Sequence, residues 1–202
     1  MEKKEIISLA KQVLEQEAKG VLALLDQVDE NFVKAAHLML KCKGHVLVTG
    51  SGTSHSIARR MAHLLSVCGT PSLLIDAGDS QHGLSGAVTA NDILIALSKG
   101  GSSSEVNFLA NVAKSQGALV FALTEKPDSK LGMIADLVLK VVSPPEGDPF
   151  GMIATGSSLV NSAYCDALCV VLLKMRGYTL EQFGATHPGG AVGKKIEEMK
   201  KN

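Results

Sequence analysis

From Glu2 to Lys43 the apolar residues recur every three or four positions: Ile6, Leu9, Val13, Leu22 and Leu25, then Phe32, Ala36 and Leu40. That is the period of an amphipathic helix. Asp29 and Asn31 mark the break between two helices, and Gly44 ends the second. The first helix is apolar along much of its length yet precedes the rest of the chain. Its apolar face asks for a partner, such as a second subunit.

After Gly44 the period changes. "HVLVTG" from His45, "PSLLID" from Pro71, "DILIALS" from Asp92, "ALVFALT" from Ala118 and "DLVLKVV" from Asp136 are short aliphatic runs that predict five strands. Helical runs separate them: "IARRMAHLLSVCG" ending at Gly69, "EVNFLANVAKSQG" ending at Gly117, and the short "KLGMIA". A long helix is predicted from Ser157 to Arg176, stopped by Gly177; a short one covers "TLEQFGA", and "THPGGAVGKK" closes the chain. Alternating strands and helices predict an α/β fold. The expected form is a five-stranded parallel, doubly wound, flavodoxin-like sheet with helices on both faces and an N-terminal helical pair. The division expected is 1–43 for packing and oligomer contacts and 44–202 for the α/β domain. Ligands in such folds bind at the carboxyl ends of the strands, so each strand-to-helix loop is a candidate site wall.

Composition narrows the function. Twenty basic residues balance twenty acidic ones over 202 residues, so no net field draws the chain to nucleic acid or a membrane. Aromatics are 3% and Trp is absent, which leaves no stacking platform for bases. No apolar run reaches the length of a membrane span, because Lys140 and Lys174 interrupt the best candidates. The charged start "MEKKEIISLAKQ" is no signal peptide, and a soluble, cytoplasmic protein is expected. Cys42, Cys68, Cys165 and Cys169 form no CxxC pair; the last two lie one helical turn apart and read as core thiols.

Two loops stand out, "TGSGTSHS" (49–56) and "SKGGSSSEVN" (98–107). Each puts Gly and Ser/Thr between a strand and a helix N-terminus. Glycine lets backbone amides turn inward, the helix end adds unpaired N–H groups, and hydroxyls add donors, which together suit a phosphate. Neither loop is a complete dinucleotide fingerprint or P-loop. Ser and Thr also cap helices in any protein, but two hydroxyl-rich loops at strand ends point beyond capping.

These loops resemble the phosphate-binding signatures of sugar isomerase (SIS) domains. The run "GTPSLLIDAGDSQHGLSGAVTANDILIALSKGGSSSE" and the ending "LLKMRGYTLEQFGATHPGGAVGKK" are similar to the bacterial arabinose 5-phosphate isomerase family, over about His45 to Lys195. The resemblance implies a flavodoxin-like fold, a homodimer or homotetramer, and interconversion of ribulose 5-phosphate and arabinose 5-phosphate or a related pair. An aldose–ketose isomerase opens a sugar ring and moves a proton between C1 and C2, so it needs a base near the carbons and proton donors to the oxygens. No cofactor is needed in principle. The histidines and acids lack zinc-ligand spacing, so no metal is expected.

On this resemblance the phosphate ligands are Ser51, Thr53, Ser54, Ser98, Ser102, Ser103 and Ser104. Glu105, Glu146 and Asp79 are the candidate bases; His187 and His82 assist ring opening or oxygen proton transfer, and His187 is expected to reach a neighbouring subunit's site. His55 is a candidate group at the site edge. The chain departs from the family pattern at Thr53, where the family carries a lysine, and at Gly100 and Ser102, where serine and glutamate are usual. Longer members carry a tandem CBS pair after this domain, and a chain complete at Asn202 is expected to lack that module. Two rival readings stand beside the isomerase: a non-catalytic phosphosugar sensor, and an isomerase or lyase of an amino-sugar phosphate.

Overall fold

Every residue of β1 (Val46–Gly50) and β3 (Ile93–Leu97) is buried, as befits central strands covered on both faces. The computed structural model describes residues 1–201. With β2 (Ser72–Leu74), β4 (Leu119–Thr124) and β5 (Leu137–Lys140) they form one five-stranded parallel sheet in the order β2-β1-β3-β4-β5.

The pleat sorts the side chains. Val46, Val48, Ile93, Ile95, Leu97, Phe121 and Leu123 face one layer of helices, α2 (Glu30–Leu40), α3 (Thr53–Val67) and α7 (Gly156–Arg176), meeting Met39, Met61, Leu65 and Leu168. The residues between them, Leu47, Leu94, Ala96, Val120 and Ala122, face α5 (Ser104–Ser115) and α6 (Lys130–Ile134). Two separate apolar cores thus sandwich the sheet. Asp29 starts α2 by accepting from the amides of Asn31 (2.9 Å) and Phe32 (3.2 Å). Phe32 then sets its ring edge-on to Tyr164 of α7, 5.3 Å between centroids.

The leading helix α1 (Lys3–Leu22) packs on α7 and on the segment after β5. Gly20 is needed there, because a Cβ would stand 2.9 Å from the Pro144 ring. Gln27 clamps the same segment, accepting from the amide of Val142 (2.7 Å) and donating to its carbonyl (3.0 Å). Ile6, Leu9, Leu14, Leu22 and Leu25 of α1 and the turn after it remain exposed, the last at 75%.

Two expectations need correction. Helix α7 is, by length and composition, apolar enough to cross a membrane, despite Lys174. Half of that apolar window is buried in the fold against the layer just described, so its hydrophobicity serves the core. The tail does not end as a loop: after α8 (Leu180–Thr186), Gly190–Lys201 form a ninth helix, α9. Ile196 of α9 is buried. A short helix, α4 (Ala77–Ser80), also occupies the segment after β2, for which the sequence pattern names no element. Cys165 and Cys169 are buried, and burial pushes both thiols up, Cys169 to about 12, so they are un-ionised core groups.

Candidate active site

The chain runs from β1 outward to β2, then crosses back to β3 on the other side of β1. The loops leaving β1 and β3 therefore diverge to opposite faces, and the gap between them is where a doubly wound sheet binds its ligand. A crevice of about 740 Å³ opens there. Gly50, Ser51, Gly52 and His55 line it from the β1 end, Asp76, Asp79 and His82 from the β2 end, and Glu105 from the β3 end.

The β1 loop is drawn tight. A Cβ on Gly50 would come 2.6 Å from the Ser54 carbonyl oxygen, so only glycine lets the first turn of α3 fold over the strand end. In the first turn of α3 the amides of Ser54 and His55 donate to the Ser51 and Gly52 carbonyls, at 3.1 and 3.0 Å, and no acidic residue occupies that turn to neutralise the positive end of the helix. The β3 loop turns at Gly101, whose φ of 64° suits glycine and whose missing Cβ leaves room for Ser129. Asn107 fixes this turn by donating to the Gly101 carbonyl, 3.3 Å. Ser98 and Ser103 hydroxyls meet at 3.3 Å, with Ser103 at the cap position of α5.

Glu105 stands in the first turn of α5. The Ser51 hydroxyl, the larger influence, and that of Ser104, 3.1 Å away, hold its carboxyl below the usual glutamate range. It is therefore ionised at neutral pH. Glu146 differs. Its side chain is only 4% exposed; Oε1 accepts from Lys99 Nζ at 2.9 Å and Oε2 from the amide of Ser157 at 3.2 Å. Burial pushes its carboxyl up, but Ser157 and the Lys99 ammonium outweigh this and hold it below the usual range. Lys99 also lies 3.8 Å from Glu125.

Among the candidate residues, the structure gathers Ser51, Asp79, His82 and Glu105 around one crevice. Ser54 sits half-buried in the first turn of α3, Ser98 is buried behind the β3 loop, and Ser102, Ser103 and Ser104 form the rest of that loop. Three others do not line this crevice. Thr53 lines a cleft between α3 and α7 beside Arg60 and Ser158. Glu146 is held in the loop before α7. His187 ends α8, its ring stacked on Phe183 at 3.9 Å and its Nδ1 2.9 Å from the Phe183 carbonyl. Two polar neighbours lacked a sequence signal of their own. Lys99 is a lone cation inside a glycine-serine loop, and Asp76 pairs with His55 across the crevice wall, Oδ2 to Nδ1 at 3.5 Å. Among the described residues, no three His, Cys, Asp or Glu side chains gather as a metal site.

Comparison with known proteins agrees with this architecture. The SIS domain family matches residues 38–171. Arabinose 5-phosphate isomerase KdsD of Yersinia pestis is 38% identical over 92% of this chain, and that of Escherichia coli K12 is 42% identical over 87%. The chain spans only 57% and 54% of the length of these two relatives. Among solved structures, a candidate sugar-phosphate isomerase of Listeria monocytogenes superposes with a TM-score of 0.91 at 34% identity, covering 94% of this chain and all of that one. The Escherichia coli CFT073 protein c3406, in complex with arabinose 5-phosphate, superposes with a TM-score of 0.89 at 28% identity, covering 93% and 100%. By sequence match and by fold, the chain belongs to the SIS domain family.

Proposed function

We propose that the chain is an aldose–ketose isomerase of sugar phosphates, with ribulose 5-phosphate and arabinose 5-phosphate as its first candidate pair. The observation that carries this reading is the crevice between the β1 and β3 ends, where an ionised carboxylate, Glu105, shares one wall system with the first turn of α3. The KdsD relatives and the structural neighbour that binds arabinose 5-phosphate support the choice of pair.

The Thr53 side chain faces α7, and the phosphate is held by amides and serine hydroxyls of the 51–54 and 102–104 segments. Its binding energy, remote from the reacting carbons, positions them against Glu105. Glu105 removes the proton from C2 of the open aldose, giving an enediol, and returns it to C1 of the ketose. A proton moves from O2 to O1 in the same passage, a task suited to a histidine. Glu105 is favoured over Glu146 because both Glu146 oxygens are already engaged and the side chain is nearly covered. No metal or cofactor enters these steps.

His187 serves this site from a neighbouring subunit in our reading. It does not line the crevice of its own chain, and the exposed apolar face of α1 supplies a surface for a second copy. Complementation checks it. Mixing inactive Glu105→Gln and His187→Ala subunits should restore roughly one quarter of wild-type turnover, as random pairing of dimers gives. Mixtures as inactive as their parts would place His187 outside the shared site.

A base acts only when ionised, so the acid limb of kcat/KM should lie below the ordinary glutamate value of 4.5 and activity should fall as pH drops through it. Ser51→Ala removes the larger stabilising hydroxyl and should move that limb upward. An unmoved limb would mean that another group titrates.

The function itself is tested by mixing the protein with ribulose 5-phosphate and separating the pentose 5-phosphates formed. Arabinose 5-phosphate is the expected product. Strong thermal stabilisation by sugar phosphates without turnover would instead favour the sensor.

A further inference from the structure

Isomerisation of an aldose phosphate contains a step that Glu105 does not perform. The aldose is stored as a cyclic hemiacetal, and the ring must open before C2 becomes acidic. We propose that His55, oriented by Asp76, is the proton carrier for ring opening. The proposal rests on the isomerase reading above and assigns this step to a residue outside the family pattern on which the other candidates stand.

His55 lies in the first turn of α3 and Asp76 just past the end of β2, and both line the crevice that Glu105 lines. Asp76 Oδ2 is 3.5 Å from His55 Nδ1. Its other oxygen accepts from the amide of Asp79 at 3.0 Å, which caps α4 and fixes the carboxylate's direction. A carboxylate facing Nδ1 favours the tautomer with the proton on that nitrogen and leaves Nε2 as the acceptor. The arrangement is a base held by an orienting acid, loose as such pairs often are before substrate closes on them. His82 shares the crevice, but among the described residues no carboxylate lies within ion-pair distance of it.

The step balances with no other reactant. Nε2 takes the proton from the anomeric hydroxyl as the C1–O1 bond becomes a carbonyl. The bond between C1 and the ring oxygen breaks, and its electron pair goes to the ring oxygen. The imidazolium returns the same proton to that oxygen, leaving an open hydroxy-aldehyde and a neutral histidine. Asp76 stabilises the transient imidazolium and touches no substrate atom, so it is a positioning residue.

Ribulose 5-phosphate separates this step from the rest. Its O5 carries the phosphate, so the ketose has no hydroxyl placed to close a stable ring. Exchange of its C1 hydrogen with deuterated water needs the base and the enediol but no ring opening. The experiment compares that exchange, followed by proton NMR, with turnover of arabinose 5-phosphate, for the wild type, His55→Gln, Asp76→Asn and the double variant. His55→Gln should lower kcat on arabinose 5-phosphate by about a hundredfold, the low end for a lost acid–base group, while exchange from ribulose 5-phosphate falls less than about threefold. Asp76→Asn, which can keep the cap of α4, should lower aldose turnover by about tenfold and cost nothing further when His55 is already Gln.

Equal losses in both assays would overturn the proposal, since His55 would then serve binding or the enediol step. Unchanged turnover in His55→Gln would overturn it as well. A wild-type protein with neither exchange nor turnover would instead bring down the isomerase reading on which this one stands.

Discussion

Replacing Glu105 by Gln should lower turnover of the sugar phosphate by about a thousandfold and leave the fold intact. The amide keeps the size of the side chain and can still meet the Ser104 hydroxyl, 3.1 Å away in the wild type. It cannot accept the C2 proton. The carboxylate contributes little to stability, because it lies in an open crevice and neither buries apolar surface nor pairs with a cation. Circular dichroism and the melting temperature should match the wild type, and stabilisation by the sugar phosphate should persist. Near-normal turnover would move the base to Asp79, which shares the crevice, or to Glu146 after a rearrangement of Lys99.

The opposite pattern is expected at Phe121. It is fully buried on β4, in register with Leu137 of β5 and Ile95 of β3, and belongs to the core under α2, α3 and α7. Phe121→Ala removes a ring from a packed layer and leaves a cavity, at a cost of about 3–5 kcal/mol. For a chain of this size that is a fall of about 10 °C in Tm, measurable by scanning calorimetry. Turnover well below the new Tm should stay within a few-fold of the wild type, since Phe121 does not line the crevice. A large loss of turnover at low temperature would show that the sheet transmits packing defects to the site.

The sheet was legible because its strands are short aliphatic runs bounded by turn residues, and because β1 and β3 are covered on both faces. "ILIAL" could be little else between Asp92 and the glycines. The break at Asp29 was legible for a local reason, the carboxylate that caps α2. The ninth helix was not. "HPGGAVGKK" is rich in residues that end helices, and α9 still forms from Gly190, with φ of 69° there. The apolar length of α7 was also underestimated, because one lysine near its end does not outweigh the core residues before it.

The site was legible to the degree that it is local. Their composition marked the two loops as anion cradles, the family resemblance named Ser51 and Glu105 within them, and the fold brings both loops to one crevice. Pairings across the sheet carry no local signal. Lys99 and Glu146 are 47 positions apart, and His55 and Asp76 belong to different crossovers. Only the strand order brings them together. Thr53 illustrates the limit from the other side: in the chain it sits between two crevice residues, but the helical turn carries it toward Arg60 and α7.

A crystal structure of the Glu105→Gln variant with arabinose 5-phosphate tests the central claim most directly. The account predicts the phosphate on the 51–54 and 102–104 segments, with C1 and C2 about 3 Å from the residue 105 side chain. A sugar phosphate bound away from the β1 and β3 ends, or bound there with its phosphate against residue 105, would contradict it.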